Sequence, residues 1–183
     1  MLFACLGDQE VKCHMNGIFA ILGLAGTMCL LGLAGGHPVR GGIEIAWGAM
    51  LHPGELYGPA VARAYALESE VAQYPRIVVG AETYKFICAH STSTAQDPFS
   101  QNDRQLATQC LDMLWQDADG NLAVHYLGRG FSTYVNKSPD LYQLARKFVI
   151  EEFERQQRAF NTKLAFRYAH LLQYIEAFPP LGR

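Results

Sequence analysis

The segment HPVRGGIEIAWGAMLHPGELYGPAVARAYALESEVAQYPRIVVG, residues 37–80, decides the fold of this chain. Its first part, residues 39–49, is rich in β-branched and aromatic side chains, which predicts a strand. The period of two along a strand places Ile43, Ile45 and Trp47 on one face. Such an apolar strand at the edge of a sheet needs a partner, which favours a homodimer.

The second part of this segment predicts a turn, a helix and another strand. His52-Pro53-Gly54 indicates the turn, and residues 55–57 form a short return strand in this interpretation. Proline suits the first turn of a helix, so Gly58-Pro59 opens a helix that we expect over residues 60–73. Arg76 followed by the β-branched residues Ile77, Val78 and Val79 predicts the next strand.

Upstream of this segment lies an uncharged apolar stretch, residues 17–35. With Asn16 as its N-cap, it predicts a helix over residues 16–34. The stretch is long enough to span a bilayer, but a helix that is apolar all round can equally be buried in a core. The acidic residues Asp8 and Glu10 in front of it do not form the positive flank of a membrane segment. We therefore favour a buried helix and expect no membrane association.

Downstream, the pattern alternates between short elements. Residues 81–89 predict a short helix, and residues 91–103 form a polar loop in this interpretation. A helical pattern follows over residues 106–114. Residues 115–127 then predict a β-hairpin, whose turn lies at residues 117–121 and contains Asp, Gly and Asn.

The last third of the chain predicts two long helices. Ser138-Pro139 is a typical helix start, and a break at residues 159–161 separates the two apolar stripes. Two such helices can form an antiparallel hairpin. We therefore divide the chain into an α+β domain over residues 1–136, with helices on one face of the sheet, and a C-terminal helical hairpin over residues 137–183.

Composition limits the classes of protein that the chain can represent. It has 183 residues, of which half are hydrophobic and 17% are charged, and this excludes a disordered chain. The net charge of −2 argues against a general nucleic-acid binder. The five cysteines show no CxxC spacing and the six histidines no metal-binding pattern. Reduced thiols and a cytoplasmic location are therefore expected.

Several blocks of the chain occur in the same order in one known family. They are RGGI at 40–43, YGPA at 57–60, AYALE at 64–68, YPRIV at 74–78 and, more loosely, KLAFRY at 163–168. With these blocks the chain resembles the class III nucleotide cyclase-like family. The nearest members are the uridylate cyclases of the Pycsar anti-phage system and their uncharacterised relatives. The resemblance implies a ferredoxin-like sheet, here incomplete.

The resemblance also implies a reaction and a set of partners. Members of the family bind two Mg²⁺ or Mn²⁺ ions on aspartates of the first strand and the following hairpin. The ions activate the ribose 3′ hydroxyl of a nucleoside triphosphate, which attacks the α-phosphate and expels pyrophosphate. The product is a 3′,5′-cyclic nucleotide, for which the nearest relatives imply UTP as substrate. The site is shared between the two subunits of a dimer.

This sequence departs from the family pattern at the metal ligands. The strands that carry the two aspartates should precede the helix at 16–34, so we expect the metal-binding part to be missing. Asp8 is a remote candidate ligand and is better interpreted as a loop acid. The asparagine and arginine of common members correspond to Ala62 and Ala66 here. No metal site is therefore predicted, and the chain alone is expected to be inactive.

Five residues remain as candidates for contact with a nucleotide. Arg63 and Arg40 could bind phosphate, although either could equally be an ion-paired surface residue. Tyr57 could stack on a base, Glu44 could line the groove, and Gly58 opens the helix that follows.

Three functions stay open at the level of the sequence. In the first, the chain is a truncated or degenerate cyclase-like protein whose full-length parent makes a cyclic nucleotide, for instance in anti-phage signalling. Alternatively, it is an inactive nucleotide-binding or dimerising regulatory module. The third interpretation is a protein anchored in a membrane by residues 17–35.

Overall fold

The computed structural model describes residue 4 and residues 13–180 of the chain. Its α-helices are α1 (Met15–Ala34), α2 (Pro59–Ala66), α3 (Ala81–Ser91), α4 (Pro98–Asp112), α5 (Ser132–Lys137), α6 (Pro139–Arg158) and α7 (Thr162–Ala177). Its strands are β1 (Gly41–Ile43), β2 (Ala49–His52), β3 (Glu55–Tyr57), β4 (Ile77–Val79), β5 (Leu114–Gln116) and β6 (Leu122–Val124). The fold is therefore α+β, as the sequence predicts.

The main sheet has four strands in the order β1-β4-β6-β5, and β2 and β3 form a separate antiparallel hairpin. Strands β1 and β4 are parallel, with Gly42 opposite Val78. The β4–β6 and β5–β6 pairs are antiparallel. The hairpin turns at Pro53-Gly54, where the φ angle of +82° at Gly54 requires a residue without a Cβ. Both predicted turns, at 52–54 and 117–121, are confirmed.

The strand predicted over residues 39–49 is shorter in the structure, because β1 ends at Ile43. Glu44 turns its carboxylate back to the main chain, where Oε1 accepts from the backbone N–H groups of Ile45 (2.9 Å) and Thr83 (3.0 Å). The chain thus leaves the sheet after Ile43. Trp47 is consequently 71% exposed, and the prediction that it shares one strand face with Ile43 and Ile45 is wrong, because β1 ends before it.

Helices cover both faces of the sheet, whereas the sequence predicted one face. Ile77 and Val79 share a buried cluster with α1. Gly42 lies on the opposite face, because neighbouring residues of a strand alternate. A Cβ there would collide with the Ala64 carbonyl oxygen and would lie 2.6 Å from Leu67. Glycine at 42 therefore allows α2 and the π turn after it to approach β1 closely.

The predicted helical pair is confirmed as α6 and α7, with the break at residues 159–161. Both helices contribute to the same core as α1, and α6 packs along α1. Among the largest fully buried side chains are Leu22 and Leu33 of α1 and Leu171 and Ile175 of α7. Helix α1 is long and apolar enough to cross a membrane, a criterion that core helices also meet.

Two helix starts differ from the prediction, and each has a physical reason. Helix α1 begins at Met15, and its cap is Asp103 of α4 rather than Asn16. The Asp103 carboxylate accepts from the backbone N–H groups of His14 and Met15, both at 3.1 Å. Helix α4 begins at Pro98, eight residues before the predicted start, because Asp97 caps its first turn.

Candidate functional site

Strand β1 forms one end of the main sheet, with β4 on one side only. The Gly41 N–H donates to the Arg76 carbonyl oxygen at 3.1 Å, and the Gly80 N–H donates to the Ile43 oxygen at 2.8 Å. Backbone groups of alternate residues point in opposite directions along a strand, so those of Gly42 point away from β4. Within the described part of the chain no strand pairs with this side, which we call the open edge.

The β2–β3 hairpin follows β1 and carries a surface of large apolar side chains. We call the hairpin patch the set Trp47, Met50, Leu51 and Tyr57, all of which are exposed. Leu51 is 65% exposed and Met50 53% exposed. Clustered exposed apolar side chains of this size mark interaction surfaces more often than ordinary solvent-facing surface.

Gly58 joins this patch to helix α2. Its φ angle is +113°, which L-residues with a Cβ rarely adopt. A Cβ at this position would also lie 3.2 Å from the Trp47 ring. The Ala60 N–H donates to the Trp47 carbonyl oxygen at 3.0 Å, so the start of α2 is fixed directly beside Trp47.

Two predicted nucleotide residues lie together at this junction. Tyr57 directly precedes Gly58, and its hydroxyl donates to Glu55 Oε2 at 2.8 Å. This hydrogen bond raises the pKa of the Tyr57 phenol above its ordinary value. The aromatic rings of Tyr57 and Trp47 are both available to solvent at the start of α2.

The two predicted phosphate-binding arginines have different surroundings. Arg63 is exposed on α2, five residues after Gly58. The pKa of the Glu82 carboxyl is lowered mainly by its hydrogen bond with Lys85, and the positive charge of Arg63 lowers it further. Arg40 lies before β1, where its guanidinium pairs with Glu68 at 2.5 Å. The structure thus leaves Arg63 open to an anion and gives Arg40 an acidic partner.

Glu44 lies at the other end of β1 and is committed to helix α3. Besides the backbone of Ile45 and Thr83, its Oε1 accepts from the Thr83 hydroxyl at 3.1 Å. A Cβ at Gly80 would collide with the Glu44 carboxylate, so glycine leaves room for this contact. The carboxylate satisfies the first turn of α3 and is not directed to the hairpin patch.

A buried ionic cluster, which sequence reasoning missed, lies at the far side of the sheet. It comprises Tyr74, Arg76, Asp117, Asp119 and His170. The Arg76 guanidinium donates to Asp117 and Asp119, and the Tyr74 hydroxyl donates to Asp117. On the other carboxylate oxygen, His170 Nε2 lies 2.9 Å from Asp117 Oδ1.

The ionic cluster connects three elements that are far apart in the sequence. Arg76 precedes β4, Asp117 starts the β5–β6 turn, and His170 lies on α7. The Arg76 interaction holds the pKa of Asp119 well below its usual range. The sequence interpretation of Asp117 and Asp119 as turn residues is confirmed, but their local pattern gave no sign of Arg76 or His170.

An aromatic cluster closes the same side of the sheet. Trp115 of β5 stacks on His125, with ring centroids 5.9 Å apart, and contacts Tyr174 of α7 and Phe178, the residue after that helix. The Tyr174 hydroxyl lies 3.0 Å from His125 Nδ1. Burial lowers the pKa of His125 from 6.5 to about 4, so the ring is neutral at pH 7.

A polar cleft of about 350 Å³ lies elsewhere, between the start of α1, the end of α3 and the start of α4. It is lined by His14, His90, Ser93, Asp97, Phe99, Ser100 and Asp103. In the sequence, Asp97 and Asp103 flank a polar segment that contains no histidine. The fold brings these two aspartates to the same cleft as His14 and His90. Both carboxylates already accept backbone N–H groups as helix caps.

The carboxylates near the sheet do not suit a pair of divalent ions. Glu44 is engaged with α3, and Asp117 and Asp119 are neutralised by Arg76. Over residues 13–180 no group of three His, Cys, Asp or Glu side chains is placed to hold a metal ion. Asp8, the remote candidate, lies outside the described residues.

Comparisons with protein-family models, with curated proteins and with solved structures found no match to this chain. The family resemblance of residues 37–80 therefore stays a prediction. Function is consequently inferred from the geometry of the open edge, the hairpin patch and the start of α2.

Proposed function

We propose that this chain is a class III cyclase-like module that binds a nucleoside triphosphate and dimerises through its open edge. The observation that carries the proposal is the junction at Gly58. There a glycine with a positive φ angle joins the exposed rings of Trp47 and Tyr57 to helix α2, whose exposed Arg63 follows one turn later. The blocks RGGI, YGPA and AYALE, which carry the resemblance to the cyclase-like family, lie around this junction in the sequence.

The junction offers the two kinds of contact that a nucleotide needs. Tyr57 and Trp47 supply faces on which a base can stack. The exposed Arg63 guanidinium attracts the negative phosphates. Glycine at position 58 lets the Trp47 ring lie directly against the start of α2, because a Cβ there would lie 3.2 Å from that ring.

The dimer is proposed because β1 has an open edge and the hairpin that follows it in the chain exposes large apolar side chains. Pairing with a second copy would satisfy the free backbone groups of Gly42 and bury Met50 and Leu51. In the cyclase-like family the nucleotide site is shared between subunits, so dimerisation and nucleotide binding support each other in this proposal.

Turnover is a second candidate function, favoured by the order of the family blocks in residues 37–80. We propose that a cyclase with this segment converts a nucleoside triphosphate, for which UTP is the first choice, into a cyclic nucleotide and pyrophosphate. The Mg²⁺ or Mn²⁺ pair of that reaction does not fit the carboxylates described above, so these residues support no catalytic step through it. The same proposal includes two further expectations: that the main sheet is an incomplete ferredoxin-like sheet, and that the protein is cytoplasmic.

Titration calorimetry with UTP, ATP, GTP and CTP tests nucleotide binding. We expect measurable heat for at least one nucleotide, and Arg63→Ala should weaken its affinity about tenfold through loss of a charge-assisted contact. Lys147→Ala is the matched control, because Lys147 is an exposed cation on α6, far along the chain from α2. Equal weakening by both variants, or no heat with any nucleotide, would contradict the proposal.

Turnover needs a separate assay, which keeps its failure distinct from a failure of binding. The chain is incubated with the nucleotide that binds and with MnCl₂, and cyclic product is measured by chromatography. Product formation that is lost with Arg63→Ala would favour the cyclase. Binding without product would leave the nucleotide-binding module as the function.

Sedimentation velocity tests the dimer and also bears on the membrane interpretation. Leu51→Asp should shift the protein from dimer to monomer, because it places a charge in the proposed interface. Leu144→Asp is the control, since Leu144 is an exposed apolar residue on α6. A protein that sediments as a monomer at all concentrations would exclude the proposed dimer. A requirement for detergent would favour an α1 anchor instead.

A further inference from the structure

The turn between α6 and α7 presents two phenylalanines to solvent. Phe160 is 91% exposed and Phe166 is 80% exposed, the highest values among the large apolar side chains described. Residues 157–163 are all exposed, so this end of the helical hairpin stands out from the core. Single exposed aromatics are ordinary, but two at one protruding end make an apolar patch.

Folding alone does not account for phenylalanine at position 160. Its φ angle is +54°, in the left-handed region that favours glycine or asparagine. The turn is closed by backbone bonds, in which the N–H groups of Phe160 and Asn161 donate to the carbonyl oxygens of Gln157 and Gln156, both at 3.0 Å. The ring makes no contribution to this turn and is held in water.

The same end of the molecule is basic. Residues 155–175 contain no aspartate or glutamate. Arg155 and Arg158 at the end of α6 pair with Glu152 and Glu154, and the cations Lys163 and Arg167 follow on α7. No ion pair joins Lys163 or Arg167 to an acid among residues 13–180. On α7 the positions of Lys163, Phe166 and Arg167 differ by three and four residues, so the three side chains share one helix face.

We propose that this tip, residues 155–167, docks on the surface of an anionic lipid bilayer. Aromatic rings partition into the interface between headgroups and acyl chains, while nearby cations bind the lipid phosphates. A bilayer is favoured over an acidic protein because residues 157–163 are exposed throughout and place the apolar ring of Phe160 beside the Lys163 cation, the combination that interfacial segments use. The inference is independent of nucleotide binding, since it uses no residue of the hairpin patch or α2.

Flotation with vesicles tests the proposal on the full chain. The vesicles contain phosphatidylcholine with about 30% phosphatidylserine, and vesicles of pure phosphatidylcholine serve as the neutral comparison. We expect binding to the anionic vesicles only, with loss of binding when NaCl is raised from about 0.05 M to about 0.5 M. Binding through the apolar helix α1, which has no charged residue, would not depend on lipid charge or salt.

Phe160→Asn is the informative variant, because asparagine suits the left-handed backbone and leaves the fold intact. It should lower vesicle partitioning about tenfold without lowering the melting temperature. Lys163→Gln with Arg167→Gln should also weaken binding and reduce its salt dependence. Leu144→Gln and Lys147→Gln, exposed residues on α6 before the tip, are matched controls that should bind like wild type.

Three results would overturn the proposal. One is no binding to anionic vesicles at low salt, and another is equal binding of wild type and Phe160→Asn. The third is binding to polyglutamate that Phe160→Asn weakens while vesicles are not bound, which would assign the tip to an acidic protein partner.

Discussion

The two ends of the main sheet are built in opposite ways. At one end, β5 and β6 are covered by the Trp115–Tyr174–Phe178 contacts and tied to α7 through the buried ionic cluster. We call this the closed edge. At the other end, β1, which like β5 has a single neighbouring strand, is followed by a hairpin whose large apolar side chains are exposed to solvent. One end of the sheet is thus packed against other parts of the chain, whereas the other end is followed by an exposed apolar hairpin.

The difference separates the parts of the chain that stabilise it from those that can bind something else. Polar groups at the closed edge have their partners inside the chain, so changes there should alter the free energy of unfolding. Groups at the open edge have weak or exposed partners, so changes there should alter association and ligand binding instead. Substitutions at the two edges can test this division.

Asp117→Asn should have the largest effect on stability. The substitution removes the buried charge opposite Arg76, and a buried cation without its full compensation costs about 3 kcal/mol. Urea unfolding followed by circular dichroism measures the change. Asp119→Asn should cost only about 1 kcal/mol, because Asp119 is 43% exposed. A smaller loss for Asp117→Asn than for Asp119→Asn would contradict the account of the closed edge.

Gly58→Ala should have the next largest effect, and it should change both the free energy of unfolding and the affinity for a nucleotide. The φ angle of +113° and the nearby Trp47 ring should make alanine cost about 2 kcal/mol of unfolding free energy. The start of α2 should also move, so nucleotide affinity should fall with it. Gly54→Ala is a useful control, because Gly54 also has a positive φ, but its added methyl group would have no atom within 4 Å.

The closed edge should also make stability depend on pH. His125 has a folded-state pKa of about 4, against 6.5 without burial, so between these values the unfolded chain binds the proton and the folded one does not. The contribution is therefore complete above pH 6.5 and is lost as the pH falls toward 4. Its size is roughly 1–2 kcal/mol, because the ring is partly exposed.

Chemical denaturation at pH 7 and pH 5 checks this dependence. Wild type should lose more unfolding free energy between the two values than His125→Gln, which cannot take up that proton. Identical pH dependence in the two proteins would mean that His125 is not held neutral by the closed edge.

Arg40→Ala at the open edge should have the smallest effect. The Arg40–Glu68 pair is solvent-exposed, with 40% of the arginine side chain accessible, and such pairs contribute at most about 0.5 kcal/mol. Urea unfolding should therefore find it nearly as stable as wild type. A loss comparable to that of Asp117→Asn would erase the distinction between the two edges.

The parts of the fold that sequence predicted well are those encoded locally. The α6 and α7 stripes repeat at helical spacing, and Pro53-Gly54 and residues 117–121 carry turn chemistry of their own. The helix start at Pro98 was also locally encoded, by Asp97 before a proline, but the polar composition around it favoured a loop.

The parts that sequence could not predict depend on contacts between distant residues. Asp103 caps a helix that starts 88 residues earlier, and His170 reaches a turn aspartate 53 residues away. The early end of β1 depends on Glu44 reaching Thr83. At the candidate site, Gly58 and Tyr57 are candidates from the block YGPA, whereas the exposure of Trp47 could be read only from the fold.

Hydrogen–deuterium exchange at low and high protein concentration tests the central claim most directly. If a second copy covers the open edge, the amides of Gly42 and of residues 49–57 should become more protected as concentration rises. Those of β5 and β6 at the closed edge should not change, because their partners lie within the chain. Concentration-independent exchange at Gly42 and the hairpin, or equal protection of both edges, would contradict the account.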